Sequence, residues 1–162
     1  MAFMRAAELW IESYQGEVLG ETIFGWLAAH EYDEERRHQL ETLTLLERAT
    51  KGLAEPVFDR LGYDRGDTEA TVKAATAAAE RVAEGTWEQF LEGTEAVAAQ
   101  YLRKYEELVE LTTEPFEQEI AVAYVAHEKA LAAFARRAQG KEEGEALAPI
   151  LALPHVAAAE PA

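Results

Sequence analysis

Acidic side chains at positions 17, 21 and 47 and an imidazole at position 127 fall where helical spacing calls for core residues. The series Phe3, Ala7, Trp10, Tyr14, Glu17, Glu21, Phe24, Ala28 follows the alternating three-and-four step that keeps side chains on one face of a helix. Glu17 and Glu21 therefore read as inward-facing. The same step through Arg36, Leu40, Leu43, Glu47, Thr50 and Ala54 places a third glutamate on a core stripe. Trp87, Leu91, Thr94, Ala98, Tyr101, Tyr105, Leu108 and Thr112 bring two tyrosines and no carboxylate, and Phe116, Ile120, Ala123, His127, Ala130 and Phe134 bring one histidine. Ionised carboxylates are costly to bury unless a cation, a metal or hydrogen-bond donors compensate them. Oxygen and imidazole donors converging in a dry interior suit iron, manganese or zinc. The alternative is an ion-free polar layer, with protonated His127 facing one glutamate, Tyr14, Tyr101, Tyr105 or Tyr124 donating to the others, and Arg36 as a further cation.

The elements that carry these residues are helical. Helix signals run from about Phe3 to His30, then from an Asp33 cap through Glu34 to about Leu53. Pro56 and the stretch from Leu61 to Asp67 break the pattern. An alanine-rich helix with a modest stripe (Val72, Ala75, Ala79, Val82) reaches Gly85, a fourth runs from Trp87 to about Thr113, and Glu114-Pro115 restarts the chain as a fifth, to about Ala138. Gly140 is the stop signal, and the tail beyond it, with Pro149, Pro154 and Pro161, reads as lying along the surface or partly disordered. The expected division is a helical domain over 1–140 and a tail over 141–162. Residues equidistant from a hairpin turn lie side by side in antiparallel helices. Glu17 and Glu47 are each about 15 residues, roughly 22 Å, from their turn, and His127 and Tyr101 are each about 13 residues from theirs. All four can share one central layer.

Composition narrows the function. With 162 residues and 49% apolar content the chain can close one core. Its 31 acidic and 15 basic residues give a formal charge of −16, which repels nucleic-acid phosphates and anionic membrane surfaces. No cysteine is present, so thiolate ligands and disulfides are excluded. No apolar run has the length of about 20 residues that spans a bilayer, and the first residues lack signal-peptide order. A soluble, cytoplasmic protein is the expectation, homo-oligomeric or not.

Two long antiparallel hairpins joined by a helical crossover resemble the ferritin-like four-helix bundle of the rubrerythrin-type, carboxylate-bridged di-iron proteins. The resemblance covers residues 3 to about 138. It rests on Tyr14-Gln-Gly-Glu17-Val-Leu-Gly-Glu21, on Glu47 and on Tyr124-Val-Ala-His127-Glu128. It implies a mono- or di-nuclear iron or manganese site held by Glu17, Glu21, Glu47 and His127, with Tyr14, Tyr101, Tyr105 and Tyr124 as outer hydrogen-bond partners. It also implies oxidase or oxygenase chemistry with dioxygen or peroxide and a small-molecule substrate. The family's pattern of a Glu from each of two helices and Glu-x-x-His from each of the others is incomplete here. Thr50 stands at the histidine position after Glu47, Tyr124 replaces the carboxylate before His127, and Glu95 lies beside its stripe. Glu21, Glu128 or Glu95 are the available substitutes. Glu35-Arg-Arg-His38 has the Glu-x-x-His spacing but falls on the outer side of its helix. His30 and His155 read as solvated. A five- or six-helix array of the haem-oxygenase-like kind, a haem ligated by His127, and a non-catalytic helical module with a buried polar layer are the competing readings.

Overall fold

In the computed structural model, which describes residues 1–159, the chain folds into an all-α bundle of seven helices. They are α1 (Ala2–His30), α2 (Glu34–Leu61), α3 (Thr68–Ala83), α4 (Trp87–Leu111), α5 (Pro115–Ala138), α6 (Ala148–Leu151) and α7 (Pro154–Ala159). Pro161 lies outside the described residues. Local chemistry sets most boundaries. Asp33 and Asp67 accept the backbone N–H groups of Arg36 and Ala70, and Thr86 and Gln89 form a reciprocal capping box at the start of α4. Pro115 occupies the first turn of α5, where its missing N–H costs nothing. Gly62 (φ 70°) and Gly140 (φ 72°) end α2 and α5 in the left-handed conformation that side chains disfavour.

α2 departs from expectation by running eight residues beyond Leu53, straight through Pro56. The residue whose carbonyl the proline ring crowds is Gly52, and burial of Ala54, Val57 and Phe58 holds the last turns in place. Proline's local penalty loses to tertiary packing.

α1 pairs with α2 and α4 with α5 as hairpins, and the hairpins meet through α1 against α4 and α2 against α5. α3 packs along α1 and buries only Ala75 and Ala79, so it flanks the bundle. The apolar core is divided in two. Phe24, Leu40, Leu43, Leu46, Leu91 and Phe134 belong to one cluster, and Leu9, Trp10, Val57, Phe58, Leu108 and Tyr124 to the other. Along α1, α2 and α5 the first cluster stops at Phe24, Leu46 and Ala130, and the second at Val18, Ala54 and Tyr124. Glu17 at the edge of the second, and Glu47, His127 and Glu128 between the two, form a buried polar layer.

The expectation of a surface tail is corrected. Leu147, Ile150, Leu153 and Val156 are buried in the first cluster, and α7 lies against α2. Ile150, fully buried, is expected to cost about 3 kcal/mol on replacement by alanine, a drop in Tm of roughly 6–12 °C for a domain of this size. A thermal melt of Ile150→Ala checks this. A change of about 0.5 kcal/mol or less, as for a surface residue, would contradict the packing.

Candidate metal centre

Three helices deliver the central groups. α1 presents Glu17 and α2 Glu47 at matching heights above their turn, and α5 inserts His127 between them. Glu17 Oε1 lies 3.4 Å from His127 Nδ1, and Glu47 Oε1 lies 3.4 Å from His127 Nε2. One donor atom from each of the three residues falls within 4.8 Å of the others. Glu128 closes the group from α5, with Oε1 3.7 Å from His127 Nε2. All four side chains are buried.

Their hydrogen bonds are not made. Both ring nitrogens of His127, Glu17 Oε2 and Glu128 Oε2 have no partner. The contacts of 3.4 Å are close enough for electrostatic attraction, but their angles miss hydrogen-bond alignment. The one bond made to this layer is long, from Tyr105 Oη–H to Glu17 Oε1 at 3.4 Å. Tyr124 Oη, fully buried, is also unpartnered. Buried polar atoms are nearly always satisfied, so these unpartnered atoms set the layer apart from the rest of the bundle.

Burial pushes the Glu17 carboxyl well above the usual range, and the Glu47 charge adds to it. Burial likewise raises Glu128, to about 8, although the His127 charge works against this. For His127 burial opposes the charged form, but Glu47 and Glu128 together outweigh it and leave the imidazole above its ordinary value. Burial, with the nearby carboxylates, raises Tyr101 to about 12 and also pushes Tyr105 and Tyr124 well above the usual phenol range. Burial in this layer thus favours the protonated form of both carboxyls, Glu17 and Glu128.

The other expected site residues lie apart. Glu21 is one turn on from Glu17 but is rotated to the edge, where Arg48 (2.9 Å) and Lys51 (2.5 Å) pair with it and hold its carboxyl below the usual range against the effect of burial. Tyr14 points away and donates to Glu55. Tyr101 is half-buried beside Gly16 and makes no hydrogen bond to the layer. Arg36 sits over the Trp87 ring rather than in the layer, His38 is exposed, and Glu95 is held on the surface by Gln139 and Lys141.

Two residues near the layer escaped the stripe reading. Glu128 stands about 100° around α5 from His127, and it is buried because neighbouring helices close on both flanks. His155, expected to be solvated, places Nε2 3.0 Å from Thr50 Oγ1. Thr50 donates its own proton to the Leu46 carbonyl, so its oxygen accepts from the imidazole. Burial, and next the His127 charge, lower His155 to about 4, which places it within electrostatic reach of the layer. Thr50 is the position where the di-iron pattern has histidine, and a histidine from the tail occupies the space beside it. The spacing Leu147, Ile150, Leu153, Val156 was the available signal that the tail packs inward. His30 also has a partner, the Trp26 carbonyl at 2.7 Å.

Gly20 allows Glu47 to reach the centre. A Cβ added there would stand 2.6 Å from the Glu47 carboxyl carbon, in the path of the side chain. Gly20→Ala is expected to displace that carboxylate and, if Glu47 is a metal ligand, to weaken binding by about tenfold or more, the scale of a disturbed ligand environment, while far-UV circular dichroism stays helical. Unchanged affinity in a metal titration would show that Glu47 does not bind in this pose.

A cavity of 410 Å³ opens between α1, the end of α3 and α4, and its inner wall includes Glu17, Glu47, Glu128, Tyr101 and Tyr105. No family model, curated protein or solved structure matches the chain. The described residues therefore define the class by geometry alone: an all-α bundle with a buried carboxylate–imidazole cluster open to a cavity. Among those residues, no helix is long and apolar enough to cross a membrane.

Proposed function

We propose that this chain is a metal-dependent oxidase or oxygenase of ferritin-like type, with iron or manganese, one ion or two, held at the bundle centre. Glu17, Glu47 and His127 would hold the metal, and Glu128 stands where it can add a further oxygen. The orphaned atoms of these residues carry the reading: four polar atoms of Glu17, His127 and Glu128 are buried without partners, while Oε1 of Glu17, Glu47 and Glu128 lies within 3.7 Å of the His127 ring nitrogens. Two or three carboxylate oxygens and one imidazole nitrogen form the donor set preferred by iron and manganese over softer ions. Glu21, paired with Arg48 and Lys51, is assigned to holding α1 against α2.

Such a metal, held by Glu17, Glu47 and His127, would supply redox chemistry toward dioxygen or peroxide. The chain's own contributions are separate. Glu17 and Glu128, whose burial favours the protonated carboxyl, would have to give up any proton they hold in order to act as ligands, which would make metal affinity rise with pH. Tyr105 Oη–H, bonded to Glu17 Oε1, orients that carboxylate, and its raised pKa keeps it a donor. Apolar walls above and below the layer exclude bulk water. The cavity offers an entry route from the surface.

Elemental analysis of protein purified without chelator, followed by anaerobic iron reconstitution, tests the reading. About one or two equivalents of iron or manganese are expected, lost in Glu17→Ala, Glu47→Ala and His127→Ala by more than the 10–100-fold typical of an outer-shell change. Wild-type protein that takes up no metal after reconstitution removes the proposal.

A further inference from the structure

The cavity's walls and rim have different chemistry. Leu19, Ile23, Phe24 and Val97 line its length, and its inner end meets Glu17 and Glu128, whose unpartnered oxygens are buried. Along α4 the lining runs from Gln89 to Tyr105, about 24 Å of helix axis, so the space is elongated. Gly93, on the lining, borders open space: a Cβ there would meet nothing within 4 Å. At the rim stands Arg81, the sole cation of the lining, and it makes no ion pair among the described residues. Lys73, Arg103 and Lys129 are likewise exposed without an ion pair, so it is the place of Arg81 on the cavity lining, not its lack of a partner, that sets it apart.

We propose that this cleft binds a straight-chain monocarboxylic acid, its hydrocarbon body along Leu19, Ile23, Phe24 and Val97 and its carboxylate on Arg81. The orientation follows from charge. A carboxylate entering first would lose its water among the buried carboxyl groups of Glu17, Glu47 and Glu128, whereas at the exposed rim it stays hydrated and meets the one guanidinium. The far end of the chain is then presented to the buried centre. Bound there, the hydrocarbon also covers Val82 and Val97, which are 36% and 45% exposed. This assignment deepens the oxidase reading by naming its substrate class, but the binding itself depends only on the cleft.

Calorimetric titration of the full metal-free chain with decanoate and with decanol tests it. Decanoate is expected to bind, Gly93→Trp to weaken it at least about tenfold by filling the open wall, and Arg81→Gln to weaken decanoate about tenfold while leaving decanol unchanged. Val97→Trp, at an exposed position, is a second blocking variant should Gly93→Trp fail to fold. No binding of decanoate, equal binding of both ligands with Arg81→Gln silent, or a solution dimer broken by Val97→Glu in place of ligand binding would each overturn the proposal. Metal content measured in parallel separates the two readings. Decanoate bound by protein that takes up no metal defeats the oxidase alone, and metal bound without decanoate defeats the acid-binding cleft alone.

Discussion

Replacing Glu17 and Glu47 by leucine and His127 by methionine together is expected to raise the melting temperature of the metal-free chain and to abolish its response to metal. The reason lies in the unmade bonds of the layer. Two glutamates and an imidazole are buried there, with one Glu17 oxygen and both His127 nitrogens unpartnered, and apolar replacement of a buried ionic group commonly stabilises by about 1–4 kcal/mol. For a chain of this size that is roughly 2–16 °C in Tm. Wild-type protein should behave oppositely when metal is added, gaining about 3–4 kcal/mol at free metal 100- to 1,000-fold above Kd. Melting curves of both proteins, with and without iron or manganese, form the measurement. If the substituted chain is strongly destabilised, the layer is a structural polar network with its own compensation. A wild-type Tm indifferent to metal, with a stabilised variant, would favour the non-catalytic helical module.

Between pH 6.5 and 8 the metal-free protein is expected to lose stability as the pH rises. Glu128, raised by burial from 4.5 to about 8, keeps its proton in the folded chain where the unfolded chain has released it. The unfolded state then binds fewer protons, and by linkage the folded state loses roughly 1.5 kcal/mol from this group over that window. Glu17, raised in the same direction, adds to the loss. His127 has the same sign: its raised value gives stability that is complete below 6.5 and disappears above. His155 has the opposite sign, since a value lowered to about 4 gives stability that is full above 6.5 and lost only in acid. It therefore does not interfere in the chosen window. Bound metal displaces these protons, so its affinity should rise with pH while the stability loss shrinks. Urea unfolding at several pH values, with Glu128→Gln as the control that flattens the slope, measures the effect. Metal-free stability that is level or rising from pH 6.5 to 8 would mean the carboxyls are already ionised.

The helices and their starts were readable from the sequence because they depend on neighbours only a few residues away. Asp33 and Asp67 cap α2 and α3 through bonds three residues long, and Gly140 ends α5 by backbone freedom alone, whereas α2 was expected to stop near Leu53 and runs on to Gly62. Helical periodicity likewise brought Glu17, Glu47 and His127 onto core stripes, and equal distance from a turn set the height of the two glutamates. Periodicity resolves direction only to within one helical step of about 100°. It could not tell that Glu21 rotates out to Arg48 and Lys51, that Glu128 rotates in, or that Phe3 remains 67% exposed.

What the sequence determined alone is the all-α architecture and a set of acidic and imidazole groups that require compensation. Tertiary structure decided which of them meet. It carried α2 through Pro56, because burial of Val57 and Phe58 outweighs a local penalty, and it folded the tail onto α2, where His155 reaches Thr50. It also left the cleft beside α4 open down to the carboxylates. Each of these outcomes depends on surfaces distant in sequence closing over one another, and burial of that kind has no signature in the spacing of neighbouring residues.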